Sequence, residues 1–122
     1  MDIGQSQLGS LTVLRPLGRI DGATSAEFQA TLLQAAADAP GGVVVDFADV
    51  DYISSAGLRA LMTAVRQRKD RRIAAVALRP IIQEIFAIAR FQHVVSVFGG
   101  PEEAASAWGP GEAAEEEKGG AG

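Results

Sequence analysis

The chain of 122 residues contains no cysteine. That excludes a disulfide scaffold, a thiolate zinc site, an iron–sulfur cluster and a cysteine nucleophile. Only one histidine occurs, His93, too few for a multi-histidine metal centre or a relay among several phosphohistidines. No apolar run approaches the roughly 18 residues that a membrane span requires. Met1-Asp2-Ile3-Gly4 offers neither a basic segment nor an apolar stretch. No secretory signal is visible, and the cytoplasm is the expected location. Basic residues are outnumbered, 11 against 15 acidic. Without a basic excess the chain lacks the footprint of a dedicated nucleic-acid binder. P-loop, G-x-G-x-x-G, H-E-x-x-H and nucleophile-elbow motifs are also missing. No acid, base and nucleophile set converges in the sequence, so a non-enzymatic domain with no catalytic residues, cofactor or metal is expected.

What is present is enough apolar material for one core. Hydrophobic residues make up 48% and charged residues 21%, the balance of an ordinary globular domain. Residues 1–108 read as that domain. Residues 109–122, Gly-Pro-Gly-Glu-Ala-Ala-Glu-Glu-Glu-Lys-Gly-Gly-Ala-Gly, read as an acidic, disordered tail. Four of the acidic residues lie in that tail (Glu112, Glu115, Glu116, Glu117), so the body is close to neutral.

Along the body, strand patterns alternate with helical ones. Gln5–Gly9 suggests a short opening strand, and Leu11–Ile20 a longer one. Pro16 lacks a backbone donor and suggests an edge or a bulge there. Asp21-Gly22 closes the strand with turn chemistry. Thr24-Ser-Ala-Glu27 matches a capping box before a helix, in which Phe28, Leu32 and Ala35 or Ala36 recur at helical spacing. Pro40–Gly42 ends it. Val43–Phe47 has the near-continuous apolar character of a buried central strand. A second helix follows Ser54-Ser55, with Leu58, Leu61, Met62 and Val65 on one face and Arg59, Thr63 and Arg66 on the other. Ile73–Leu78 is another strand. Arg79-Pro80 opens a third helix with inward residues Ile82, Ile85, Phe86 and Ala89. His93 falls in the turn after it. Val94–Phe98 is a last strand, and Pro101–Trp108 a last helix turning Ala104, Ala105 and Trp108 inward. Strands alternating with helices require crossover connections. The fold class is therefore α/β: a small mixed, mostly parallel sheet with helices mainly on one face.

Three features invite a functional reading. Asp46, Asp49 and Asp51 alternate near a strand end, where they serve as turn formers or as ligands for a hard cation. Arg59, Arg66, Arg68, Lys69, Arg71 and Arg72 lie close together, with only Asp70 opposing them. They form either a solvated helix end, whose cations complement the dipole, or a docking surface for an acidic partner or a lipid head group. The third feature is Ser54–Leu58. Serines there can cap the helix. The same free amides and positive helix end would accommodate a phosphoryl group of roughly -1.5 to -2 charges. Gly57, one turn in, costs a helix about 1 kcal/mol relative to alanine. Its presence suggests the close approach of another backbone.

The segment Val43-Val-Val-Asp-Phe-Ala-Asp-Val-Asp-Tyr-Ile-Ser-Ser-Ala-Gly-Leu-Arg59 resembles the signature of STAS domains, the fold of bacterial anti-sigma factor antagonists. Leu17-Gly-Arg-Ile-Asp21 resembles the family's second hallmark, a turn before the first helix. The likeness spans about residues 5–108. It implies a phospho-acceptor two residues before the motif glycine, which is Ser55, with Ser54 as a second candidate. Family members often carry aspartate before the acceptor and serine or threonine after it. Here those places hold Ser54 and Ala56. The resemblance further implies a partner surface formed by Asp21, Ser54, Ser55, Ala56, Gly57, Leu58 and Arg59. The implied partners are an anti-sigma factor that is also a serine kinase, and a resetting serine phosphatase. A non-switching subunit of a signalling scaffold or lipid-transport complex is the alternative.

Overall fold

The computed structural model describes residues 1–109, and the acidic segment 110–122 lies outside them. The chain opens with a hairpin, β1 (Ile3–Leu8) and β2 (Leu11–Pro16), turned at Gly9 with φ 64°. Then follow β3 (Gly18–Ile20), α1 (Ser25–Asp38), β4 (Val43–Asp46) and β5 (Val50–Ile53). The rest is α2 (Ser55–Gln67), β6 (Ile73–Val76), α3 (Pro80–Ile88), a single 3-10 turn (Phe91–His93), β7 (Ser96–Phe98) and α4 (Pro101–Trp108).

The main sheet has the order β1-β2-β4-β6-β7. Only the β1–β2 pair is antiparallel; β2–β4, β4–β6 and β6–β7 are parallel. From β2 onward each new strand is added on the same side of the last. Right-handed crossovers that always move in one direction place their helices on one face. The core divides accordingly. Leu14, Val43, Val45, Ile73 and Ala75 meet Phe28, Leu32, Leu61, Ile82 and Phe86 from α1, α2 and α3. Phe47, Phe86 and Phe91 stack edge-on or tilted within this layer, with centroids 5.8 and 5.2 Å apart. Helix α4 follows the last strand, crosses nothing, and covers the opposite face. There Leu11, Val44 and Val76 meet Ala104, with Phe98 and Trp108 packed around them. A mixed, mostly parallel sheet with helices mainly on one face is the architecture found.

Several local expectations are corrected. Leu11–Ile20 is two strands. The chain breaks after Pro16 and takes φ 93° at Gly18, which carries β3 out of the main sheet to pair with β5. Val50–Ile53 is a strand and not a lead-in to α2; β3 and β5 form a separate two-stranded parallel sheet. Pro16 lies on an internal strand. It is tolerated because β2 pairs with β4 only over Thr12–Leu14, so no β4 carbonyl waits for its missing donor. The capping box does not form. The Thr24 hydroxyl donates to the Arg19 carbonyl and accepts from the Asp21 amide, both at 2.9 Å. Glu27 instead accepts from the Met1 amino group at 2.9 Å. Ala89 caps α3 and is exposed. Pro80 does open α3 from its first turn, as its fixed φ favours.

Asp46, buried on β4, accepts from Arg15 Nη2 at 3.1 Å and from the Ala48 amide at 2.9 Å. Asp51 is paired with Arg79 at 2.9 Å. No cluster of three acidic or histidine side chains able to hold a metal occurs among the described residues. No helix among them is long and apolar enough to cross a membrane.

Gly42 joins the two layers. Its φ is 109°, and a Cβ there would lie 2.9 Å from Trp108 Cζ3 and 3.0 Å from the Arg72 carbonyl. Gly42→Ala combines a left-handed backbone with crowding against α4. It is expected to lower unfolding free energy by more than about 1 kcal/mol, read from the urea midpoint.

Candidate functional site

The site is built where the small sheet meets α2. Parallel pairing puts Ile20 beside Ile53. The next step continues the ladder: the Ser54 amide donates to the Ile20 carbonyl at 2.9 Å. Helix α2 begins at once, and its first turn lies on the end of β3. Gly57 makes this possible. A Cβ at that position would stand 2.7 Å from the Ile20 carbonyl oxygen, 2.7 Å from Ile53 Cγ1 and 2.9 Å from Ile20 Cγ2. The close approach expected from the sequence is therefore to β3, within the domain. Asp21, the residue after Ile20, is thereby carried to the N-terminal end of α2.

The two serines have different environments. Ser54 is the N-cap, extended at φ -88° and ψ 175°, and its Oγ accepts from the Gly57 amide over a long 3.3 Å. Ser55 is the first helical residue and is exposed. Its hydroxyl makes no hydrogen bond to any described residue. Arg59, one turn further along the same side, is exposed as well. Leu58 is half-buried against the core, Ala56 is half-buried, and Gly57 is buried. Of the residues expected to meet a partner, Ser55 and Arg59 present open side chains, whereas Gly57 acts through packing.

Asp21 is organised by its own turn. Its Oδ1 accepts from the Ala23 amide at 3.0 Å, and its Oδ2 lies 3.5 Å from Arg19 Nε. The Ala23 amide, aided by Arg19 and the Thr24 hydroxyl, holds the carboxyl below the ordinary carboxylate range, against a smaller opposing effect of desolvation. Arg19 in turn lies over the Tyr52 ring, 4.7 Å from its centroid. Tyr52, 36% exposed, adds apolar surface on the two-stranded sheet, and Leu17, 56% exposed, adds more just before β3. Sequence reasoning assigned no role to Leu17, Arg19 or Tyr52. Val50-Asp-Tyr-Ile53 is buried at its two ends and exposed at its two middle residues, so it lacks the alternation that would have marked a strand in the sequence. His93 sits exposed in the 3-10 turn and joins no group here. The basic segment 66–72 lies at the other end of α2, about 20 Å away along 13 residues.

Chemically, the arrangement presents a serine hydroxyl to solvent at a helix N-terminus. An anion added there meets free amides and the positive end of the dipole.

Comparison with known proteins agrees with this geometry. A family model described as "Mlab, STAS domain" matches residues 3–96. A Bordetella bronchiseptica relative, provisionally described as the anti-sigma factor antagonist BtrV, is 26% identical over 110 residues, covering 88% of this chain and 95% of its own. An anti-sigma factor antagonist from Mycobacterium paratuberculosis superposes with a TM-score of 0.79 at 20% identity, over 87% of this chain and 92% of that one. The Bacillus cell fate determinant SpoIIAA, in its phosphorylated form, superposes with a TM-score of 0.62 at 16% identity, over 84% and 96%.

Two predictions follow from the packing and the charges. Gly57→Ala must push α2 off β3 and is expected to cost about 1–3 kcal/mol, more than the about 1 kcal/mol for Ser54→Ala, by urea denaturation. The Asp21 carboxyl, depressed in the folded state, contributes stability above the unfolded value of about 3.9 that is lost as pH falls toward the folded value. Asp21→Asn should therefore lose less stability than wild type between neutral pH and about pH 3.

Proposed function

The chain belongs to the STAS domain family, and from that premise we propose that it is an anti-sigma factor antagonist switched by phosphorylation at Ser55. The observation that carries the reading is the division of labour between the two serines: Ser54 is spent on the cap, while Ser55 stands exposed with a hydroxyl that no described residue engages. Unphosphorylated, the domain binds an anti-sigma factor through the surface around Ser55, Arg59, Asp21 and the β3–β5 edge, and a sigma factor is released. The anti-sigma factor is itself a serine kinase. It transfers the γ-phosphoryl group of ATP to Ser55 Oγ, ADP departs, and the hydroxyl proton is lost. A serine phosphatase restores the hydroxyl by hydrolysis. The domain acts in the cytoplasm and is the substrate of this chemistry, not its catalyst.

The energetics suit a switch. A phosphoryl group at the first position of α2 is favourable for the isolated domain, because amides and dipole receive it. In a complex the same charge is desolvated, at a cost of several kcal/mol, and about 1.4 kcal/mol is a tenfold change in affinity. Phosphorylation thus leaves the fold intact and removes the partner. A neighbour of this fold, SpoIIAA, has been solved in both unphosphorylated and phosphorylated forms, which supports the proposal.

One observation favours a second reading. Ser54 takes the place where family members often carry aspartate, so no acidic residue precedes the acceptor to help a kinase recognise it. A STAS subunit held permanently in a signalling scaffold or lipid-transport complex would use the same helix end without modification.

The test is phosphosite mapping by mass spectrometry after incubation with ATP and host lysate. One phosphoryl group on Ser55, present in Ser54→Ala and absent in Ser55→Ala, is expected. Ser55→Asp should keep the wild-type fold by circular dichroism and lose partner binding by orders of magnitude. Stable co-purification that ATP does not reverse would select the permanent subunit. Phosphate on Ser54 would keep the switch and move its residue.

A further inference from the structure

Strand β1 is one edge of the main sheet, and no described strand pairs with its outer side. Two backbone bonds fix which of its groups face that side. The Leu17 amide donates to the Asp2 carbonyl at 2.9 Å, one step beyond the Ile3–Pro16 pair. Antiparallel pairs alternate between hydrogen-bonded and non-hydrogen-bonded. Gly4–Arg15, Ser6–Val13 and Leu8–Leu11 are therefore the bonded pairs of the hairpin. The Thr12 amide agrees, since it turns away from β1 to the Gly42 carbonyl at 3.0 Å. The amides and carbonyls of Ile3, Gln5 and Gln7 consequently point outward along the open edge.

Sheet edges are ordinarily blunted by charged side chains, proline, a bulge or a very short strand. Strand β1 has none of these. Ile-Gly-Gln-Ser-Gln-Leu is 6 residues long, without charge or proline, and its register with β2 is unbroken. The opposite edge, β7, has only 3 residues. Gly4 is a second sign. A Cβ there would meet only Arg15, at an ordinary 3.8 Å, so the domain itself does not require the glycine. Glycine inside a strand weakens it and often marks the close approach of another backbone.

We propose that β1 pairs antiparallel with β1 of a second copy, about a two-fold axis through Gln5. That register sets Gln5 opposite the partner's Gln5, and Ile3 and Gln7 opposite the partner's Gln7 and the partner's Ile3. Each of these pairs exchanges both backbone hydrogen bonds. Between them, Gly4 faces the partner's Ser6 in a non-bonded pair, where Cα atoms come within about 4.5 Å. Small residues suit that spacing. On the axis a side chain meets its own copy. A charge there would repel itself, whereas a glutamine amide both donates and accepts. Gln5 is exposed and neutral, which favours a second copy over a strand of another protein. The strand is about 20 Å long and, with side chains, about 10 Å tall, so it offers roughly 200 Å² per copy. Stable dimers cover about 800 Å² per partner. The dimer is therefore weak and forms as concentration rises. It uses no residue of α2, β3 or β5 and is independent of the Ser55 switch.

The full chain is followed by sedimentation velocity from about 10 µM to about 1 mM. A rising dimer fraction is expected. Amide exchange should slow with concentration at Ile3, Gln5 and Gln7, while Gly4, Ser6 and Leu8 are protected throughout by β2. Gln5→Lys should keep the monomer fold by circular dichroism and weaken the dimer at least about tenfold. Mixing Gln5→Lys with Gln5→Glu should restore association as a heterodimer. The register has its own check, because the chain has no cysteine. Gln5→Cys should cross-link under mild oxidation, since bonded pairs stand about 5.5 Å apart at Cα. Gln7→Cys should not, because its two copies lie about 13 Å apart along the strands. A chain that stays monomeric at every concentration overturns the proposal. So does a dimer that Gln5→Lys leaves unchanged, which lies on another surface. Cross-linking as efficient at position 7 as at position 5 overturns it, as does protection of the three outward amides in the dilute monomer.

Discussion

The contact between the first turn of α2 and the end of β3 organises the functional end of this molecule. It is a backbone-to-backbone approach with no room for a side chain, since any Cβ at Gly57 would meet the Ile20 carbonyl and the Ile53 side chain. The Ser54 amide, bonded to the Ile20 carbonyl, fixes the height of the helix on the strand. From these two contacts follow the capping role of Ser54, the outward position of Ser55 and the placing of Asp21 beside the helix start. The helical cost of a glycine, about 1 kcal/mol, is offset by a contact that no larger residue allows.

The sheet explains why that end is free to meet another molecule. Strands are added in one direction from β2 to β7, so α1, α2 and α3 share one face. Their N-termini lie toward the same end of the parallel strands. There β3 and β5 form a separate small sheet that exposes Arg19 and Tyr52, with Leu17 exposed just before β3. Helix α4, which makes no crossover, covers the other face and delivers the end of the described chain to the opposite end of α2. One helix thus links two surfaces of different character: a hydroxyl at the helix N-terminus, and the basic segment 66–72 at its finish.

Much of this was written in the local sequence. Alternating strand and helix patterns, the buried run at Val43–Phe47, the inward stripe of α2, the opening of α3 at Pro80 and the crowding at Gly57 are consequences of periodicity and of single-residue stereochemistry. Other features belong to tertiary structure because they depend on groups far apart in the chain. Leu11–Ile20 divides because Gly18 turns β3 toward β5, a partner some thirty residues later that no local pattern announces. The Thr24–Glu27 capping box fails because the Arg19 carbonyl and Asp21 amide claim the hydroxyl and the Met1 amino group claims the carboxylate. The sequence alone determined that one small α/β domain forms and that a serine stands at the start of its second helix. Only the packing of β3 under that helix decided which serine is spent on the fold and which remains open, because that depends on where the Ile20 carbonyl lies.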